Sequence, residues 1–144
     1  MTDQRSSPNR CANMETAILR ESRAMNIDLS GHTILIAEDE PLIAMEIADA
    51  LQSARASVRT AATVHDALQL AEDPAISVAI IDMALGRETA LALCSRLAQR
   101  GVPFVIYTGY PHIPAGYKPA AVLQKPAHPT AILRAVAALI SKIL

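Results

Sequence analysis

The chain has 144 residues, of which 51% are hydrophobic and 19% are charged, and its formal net charge is −1. This composition suits one globular domain and excludes a disordered or fibrous chain. The near-neutral charge and the lack of a dense Lys/Arg run argue against binding to nucleic acid or anionic lipid. No stretch reaches the ~20 apolar residues of a membrane span. The polar start lacks the apolar region of a signal peptide, so a cytoplasmic protein is expected.

Cysteine and histidine spacing predicts no metal site. The four histidines show no short ligand spacing with each other or with the two cysteines. Cys11 lies in a polar segment, and Cys94 falls at helical spacing among apolar residues. We therefore expect one exposed thiol and one thiol in the core.

The predicted elements follow one another as strand and helix after a polar N-terminal segment. Residues 1–31 are expected to be an extension, partly disordered, with a possible helix over 14–25, and residues 32–144 to form the domain. Strands are predicted over 33–37, 57–61, 77–81, 103–108 and 120–124, and helices over 41–54, 64–73, 89–100 and 130–144. Three prolines and two glycines in 109–120 predict a loop or a short distorted helix there.

This alternation predicts an α/β fold with βαβ crossovers and a parallel sheet covered by helices on both faces. Five strands suit the flavodoxin-like doubly wound fold, with the strand order 2-1-3-4-5. In such sheets ligands bind beyond the carboxyl ends of the strands, next to the point where the strand order reverses. The residues that follow each strand are therefore the candidates for function.

Charged and hydroxyl side chains stand at four of these strand ends. Glu38 and Asp39 follow the first strand, Asp82 follows the third, Thr108 ends the fourth and Lys125 follows the fifth. Because the first and third strands are neighbours in the predicted order, the three acids are expected in one pocket. Clustered carboxylates repel one another and favour a bound cation, and Mg²⁺ prefers such oxygen ligands.

A carboxylate can also attack phosphorus to form an aspartyl phosphate. Lys125 could pair with the phosphoryl charge and the Thr108 hydroxyl could hydrogen-bond to it, which identifies Asp82 as the candidate acceptor. Each residue alone also has a simpler explanation: the acids as partners of a helix N-terminus, Asp82 as a cap, Thr108 in a turn, Lys125 in a solvated loop. Their occurrence together favours the phosphoryl site.

The stretches "ILIAEDE", "AIIDMAL", "IYTGY" and "LQKP" resemble, in order and spacing, the four motifs of the receiver domain of bacterial two-component response regulators. The resemblance covers about 32–144. It implies Mg²⁺-dependent phosphoryl transfer to Asp82 from a histidine kinase or a histidine phosphotransfer protein. It implies metal binding by Glu38, Asp39, Asp82 and the backbone carbonyl of Ala84. Thr108 would be the switch hydroxyl and Lys125 the phosphate-binding lysine, with a Lys-Pro bond that is usually cis.

Some positions depart from the common family pattern. Gly86 stands where the family usually has proline, and Val122 where it usually has the switch aromatic, for which Tyr107 and Tyr110 could substitute. The stretch "PFVIYTGY" resembles an atypical, often stand-alone subfamily that pairs with histidine kinases of the HWE/HisKA2 type.

Three functional hypotheses follow. The first is a stand-alone, phosphorylation-activated receiver, since only one helix follows Lys125; it would bind a protein partner or relay phosphate. The second is a receiver-like protein-binding module that acts without phosphorylation. The third is a Mg²⁺-dependent phosphatase of another fold, disfavoured because Ala84 stands where such enzymes carry a second acid. The apolar last helix either faces the core or forms part of a homodimer or partner surface.

Overall fold

In the computed structural model, residues 27–143 are described, and they form a five-stranded parallel sheet between two layers of helices. The predicted N-terminal helix over 14–25 and Cys11 lie outside the described residues. The strands are β1 (Thr33–Ala37), β2 (Ser57–Ala61), β3 (Ile76–Ile81), β4 (Ala84–Leu85), β5 (Glu88–Thr89), β6 (Phe104–Thr108) and β7 (Ala121–Gln124). The helices are α1 (Pro41–Ser53), α2 (Val64–Leu70), α3 (Leu91–Gln99) and α4 (Pro129–Ile143).

The strand order of the main sheet is β2-β1-β3-β6-β7, and all four neighbouring pairs are parallel. This order confirms the predicted 2-1-3-4-5 arrangement, because β6 and β7 are the fourth and fifth strands of the sheet. Strands β1, β3 and β6 are apolar along almost their whole length, as expected for parallel strands that are covered on both faces.

Two apolar clusters fill the space between the sheet and the helices. Helices α2 and α3 cover one face, through residues such as Ala67, Leu93 and Leu97. Helices α1 and α4 cover the other face, through residues such as Leu51 and Leu133. The main apolar stripe of α4 is therefore part of the core.

Local signals explain where α1 and α2 begin. Pro41 begins α1, where its missing N–H costs no hydrogen bond. The Thr63 hydroxyl accepts from the Asp66 N–H and caps α2. Helix α2 ends at Leu70, earlier than the predicted residue 73, and beyond it the Asp73 carboxylate accepts the N–H of Ala75 at 2.9 Å in a local turn.

Two features add to the sequence prediction, and a third agrees with it. The predicted domain boundary at residue 32 falls inside the packed region, because Leu29 is buried and donates its N–H to the Ala54 carbonyl at 2.7 Å. Strands β4 and β5 form an antiparallel hairpin that was not predicted. Residues 109–120 contain no helix, as expected.

None of the helices within residues 27–143 combines the length and the apolar character that crossing a membrane requires.

Candidate functional site

The acidic residues meet at the carboxyl end of the central strands. Ala37 and Ile81 are partners in the β1–β3 register, so the residues that follow them, Glu38 and Asp82, lie side by side. The backbone N–H of Asp82 donates to the Ala37 carbonyl at 2.9 Å, which continues the ladder beyond β3. One carboxylate oxygen from each of Glu38, Asp39 and Asp82 lies within 4.8 Å of the others.

Lys125 joins this cluster from the far side of β6. Its Nζ donates to Glu38 Oε2 at 2.9 Å and to Asp82 Oδ2 at 3.1 Å. Its backbone N–H donates to the Thr108 carbonyl at 2.8 Å, which fixes the residue after β7 against the end of β6. The structure therefore brings four of the predicted side chains into direct proximity, although they are up to 87 positions apart in sequence.

Burial makes these charges costly to hold. Glu38 is 4% exposed and Asp82 is 8% exposed, whereas Asp39 is the more accessible acid. Burial, together with the nearby Asp82 charge, raises the pKa of Glu38 despite its hydrogen bond from Lys125. Burial alone would lower the pKa of Lys125, but its pairing with both carboxylates outweighs that effect and raises the pKa. Three carboxylates facing one ammonium leave the pocket negatively charged, so the donor set fits a hard divalent cation.

The unpredicted β4–β5 hairpin is fastened to the acids by its backbone. The Ala84 N–H donates to Asp82 Oδ1 at 3.2 Å, and the Gly86 N–H donates to Asp39 Oδ2 at 3.0 Å. Gly86 has φ +64° at the first position of the two-residue turn, a conformation that favours glycine. The sequence departure at Gly86 thus corresponds to a tight turn that contacts the acidic pocket.

The hairpin register also bears on the carbonyl of Ala84. Ala84 is opposite Thr89, while the next pair outward is joined by the hydrogen bond from the Ala90 N–H to the Met83 carbonyl at 2.9 Å. Because hydrogen-bonded and non-hydrogen-bonded pairs alternate in antiparallel strands, Ala84 occupies a non-hydrogen-bonded position. Its carbonyl therefore points away from β5 and remains usable as a ligand.

Thr108 lies at the same edge but is not part of the ion-pair cluster. Its side chain is fully buried, and its Oγ1 accepts from the Tyr110 N–H at 3.0 Å. Within residues 27–143 it makes no side-chain hydrogen bond to the four clustered residues. The hydroxyl still carries a proton that it can donate to a new acceptor at the edge of the sheet.

The two tyrosines near Thr108 differ in burial. Tyr107 is buried, its hydroxyl accepts from the Ala127 N–H at 3.1 Å, and the Lys125 Nζ lies 5.4 Å from its ring centroid. Tyr110 and Val122 are 57% and 45% exposed. The contact between Tyr107 and Lys125 was not anticipated. Strand alternation offered a signal for this contact. Tyr107 and Leu123 are partners in the β6–β7 register and pack into the same cluster. Lys125 is two residues beyond Leu123 and therefore lies on the same face of the sheet as Tyr107.

A cleft of about 310 Å³ opens beside the acids between α1 and the end of β2. Glu38 and Asp39 line one end, and the rest is lined by apolar residues of α1, including Ala44 and Met45, and by residues 60–62 at the end of β2. The cleft therefore borders two of the three acids, Glu38 and Asp39.

Comparison with known proteins identifies the family. The family model described as the response regulator receiver domain matches residues 34–137. The chain belongs to the response regulator receiver family. Receiver domains are signalling domains that bind a divalent metal at an acidic cluster and interact with histidine kinases or phosphotransfer proteins and with effector partners. No curated protein sequence matches the chain.

Solved structures agree with this receiver assignment. A protein of Chloroflexus aurantiacus described as a response regulator is 26% identical, with a TM-score of 0.70 over 78% of this chain and 99% of that one. A CheY-like receiver domain protein of Methanospirillum hungatei is 22% identical, with a TM-score of 0.72 over 78% and 96% of the chains.

A response regulator of Burkholderia pseudomallei is 26% identical, with a TM-score of 0.67 over 78% of this receiver and 70% of that chain. Its structure contains a phosphorylated aspartic acid, a calcium ion and citrate.

Proposed function

We propose that this receiver domain accepts a phosphoryl group on Asp82 and thereby switches its binding to other proteins. The observation that carries the proposal is the Asp82 carboxylate, which is buried beside Glu38. The Lys125 ammonium donates to Asp82 at 3.1 Å and to Glu38 at 2.9 Å. A carboxylate in this setting has a counter-cation for the phosphoryl oxygens already in place. The phosphorylated aspartic acid of the 26% identical Burkholderia response regulator supports the same chemistry.

The transfer is a displacement at phosphorus. An oxygen of Asp82 forms a bond to the phosphorus of a phosphohistidine, while the bond from phosphorus to the imidazole nitrogen breaks. The imidazole keeps the electron pair of that bond and, when protonated at its other nitrogen, leaves as neutral imidazole. The product is an acyl phosphate on Asp82 carrying about −1.5 to −2 charge, by analogy with other phosphorylated residues.

Two side chains then respond to the new charge. The Lys125 ammonium is close enough to move from the Asp82 carboxylate to a phosphoryl oxygen, because it already contacts that carboxylate. The Thr108 hydroxyl would donate its proton to another phosphoryl oxygen. Since Thr108 Oγ1 now accepts from the Tyr110 N–H, a shift of Thr108 would be transmitted to the 109–120 loop.

Mg²⁺ is the metal we propose for the pocket, and when bound it supplies positive charge opposite the phosphoryl oxygens. Glu38, Asp39, Asp82 and the carbonyl of Ala84 would hold it. The three side chains offer oxygens within 4.8 Å of one another, and the Ala84 carbonyl faces away from its hairpin partner.

The donor we propose is a histidine kinase, of the HWE/HisKA2 type suggested by "PFVIYTGY", or a histidine phosphotransfer protein. The output would be a protein partner that distinguishes the two states of the 109–120 loop, or onward transfer of the phosphoryl group.

The test is the intact mass of the purified protein after incubation with Mg²⁺ and acetyl phosphate. We expect a single phosphoryl adduct that requires Mg²⁺ and is absent in Asp82→Asn. Glu46→Gln, which removes one negative charge from the exposed face of α1, should still form it.

If acetyl phosphate gives no adduct, the same assay is run with a phosphorylated histidine phosphotransfer protein. Absence of the adduct with both donors would overturn the proposal and favour a binding module that acts without phosphorylation.

A further inference from the structure

Lys125 reaches the acidic pocket on a long and flexible side chain. A lysine stem of four methylene groups has many rotamers, and its ammonium has no directional preference that would fix it. The two carboxylates hold it in the present state, but phosphorylation of Asp82 would replace one of them. The contact with Glu38 remains, and a further contact that does not depend on Asp82 would restrict the rotamers of the stem and help to keep the ammonium at the site.

Tyr107 provides such a contact. The Lys125 Nζ lies 5.4 Å from the Tyr107 ring centroid, within the range of a cation–π interaction. The ring is 5% exposed and packs in the cluster between the sheet and α1 and α4. Because the ring is neutral and is not among the acids, its attraction for the ammonium does not depend on the state of Asp82.

The Tyr107 hydroxyl ties the ring to the backbone near Lys125. It accepts from the Ala127 N–H at 3.1 Å, two residues beyond Lys125. The Lys125 N–H is bound at the same time to the Thr108 carbonyl, next to Tyr107 in sequence. Two hydrogen bonds thus connect residues 125–127 to residues 107–108, and they fix the Lys125 backbone relative to the Tyr107 ring.

We infer that Tyr107 is a positioning residue that holds the Lys125 ammonium at the phosphoryl site by its ring face and fixes that ring through the Ala127 N–H. This inference rests on the proposed phosphorylation of Asp82, which it deepens by assigning a residue outside the acidic cluster. Among the described residues, the side chain of Tyr107 hydrogen-bonds to the Ala127 N–H and faces the Lys125 ammonium, and it forms no hydrogen bond with the three acids.

The first test measures the rate of adduct formation with acetyl phosphate and Mg²⁺ in three variants. Tyr107→Leu, which removes the ring, should slow the reaction about fivefold, as expected for loss of a partly buried cation–π contact. Tyr107→Phe keeps the ring and should retain more of the rate than Tyr107→Leu. Val105→Ala, on the same face of β6 and in the same cluster, should react at the wild-type rate.

A double-mutant cycle with Lys125→Met separates positioning from general loosening of the fold. In the Lys125→Met background, Tyr107→Leu should have no further effect on the rate, because the group that Tyr107 positions is absent. A wild-type rate in Tyr107→Leu, or an equal slowing with and without Lys125, would overturn the inference.

The second test does not depend on phosphorylation. The sequence has three lysines, Lys118, Lys125 and Lys142, so lysine-selective ¹³C labelling gives few signals. The aromatic ring should shift the ε-CH₂ signal of Lys125 to high field, and Tyr107→Leu should abolish that shift while Tyr107→Phe retains it. Lys118 and Lys142 serve as internal controls, and an unchanged Lys125 signal in Tyr107→Leu would refute the contact.

The two measurements distinguish the two proposals. Failure of wild-type protein to form an adduct with either donor counts against phosphorylation of Asp82. The position of Lys125 over Tyr107 is then judged by the NMR signal alone.

Discussion

Lys125 neutralises only part of the charge that Glu38 and Asp82 bring to the end of the sheet. Both carboxylates are largely buried, and burial raises the pKa of Glu38. Removing the partner of a buried ion pair generally costs about 3–5 kcal/mol, because the remaining charge has no compensation. The side chain of Lys125 is 17% exposed, so solvent reduces this effect here.

Lys125→Met should therefore lower the free energy of unfolding by about 2 kcal/mol in metal-free buffer. Urea unfolding in EDTA, followed by circular dichroism, measures the change. Lys142→Met, at an exposed position in the last turn of α4, is the control and should change stability by less than about 0.5 kcal/mol. Equal stability of Lys125→Met and wild type would contradict the assignment of Lys125 as the structural counter-ion.

Cys94 is a second residue whose behaviour follows from burial. Its side chain is fully buried on α3, and burial raises the pKa of the thiol to about 12. In a Cys11→Ser background, Cys94 should not react with a thiol reagent at pH 8 while the protein is folded, since the thiolate is the reactive form. It should react fully in denaturant. Rapid stoichiometric labelling of the folded variant would contradict the burial.

At this scale the sequence was informative because the site residues come directly after strands. Glu38, Asp82 and Lys125 could be placed at one edge from strand order alone. The sequence could not show that Lys125 contacts both acids, or that Tyr107 lies beneath its ammonium. Those contacts depend on side-chain rotamers and on the register between β6 and β7.

Among the elements, the β4–β5 hairpin most clearly exceeds what the sequence predicted. Its strands have two residues each, which is too short for a periodic signal. Its only local indication in the sequence is Gly86, which stands where the family usually has proline. The structure gives this glycine a role, because its N–H donates to Asp39 and its φ is +64°.

Gly86→Ala should destabilise the protein by about 1 kcal/mol, because an alanine at this positive φ is strained even though no atom obstructs its Cβ. Thermal unfolding measures the effect. Gly109→Ala is the matched control, since its φ is not in the left-handed region and its Cβ would also meet open space. A loss of stability in the control equal to that in Gly86→Ala would contradict the role of backbone conformation.

Unlike the β4–β5 hairpin, the lack of a regular helix in residues 109–120 is predictable from the sequence. The prolines of this segment remove backbone donors and its glycines favour turns, so a regular helix was not expected. Without a helix there, Val122 on the edge strand β7 remains 45% exposed.

At the scale of the whole molecule, the packed region extends further toward the N-terminus than the sequence indicated. The sequence predicts a boundary at residue 32, because Gly31 interrupts the possible N-terminal helix shortly before the first strand. Leu29 is nevertheless 1% exposed and packs in the cluster of α1 and α4, and Ile27 packs against that cluster. Two apolar residues among polar neighbours, Ile27 and Leu29, are too few to give a periodic signal in the sequence.

Leu29→Ala should lower the free energy of unfolding by about 3 kcal/mol, the usual effect of emptying a buried leucine site. Leu42→Ala, at a 77% exposed position on α1, should change it by less than about 0.5 kcal/mol. Both values come from urea unfolding of the full chain. If the two substitutions had the same effect, residues 27–31 would not be part of the folded unit.

The backbone hydrogen bonds beyond the strand ends have a consequence for ligand recognition. The N–H groups of Glu38, Asp82 and Lys125 donate to the carbonyls of Ala61, Ala37 and Thr108, each the last residue of the neighbouring strand. The charged residues are thereby preorganised by the sheet, and binding a small ligand requires little loss of backbone entropy. The sheet edge then acts as a rigid frame, and any conformational signal must leave it through side chains and loops.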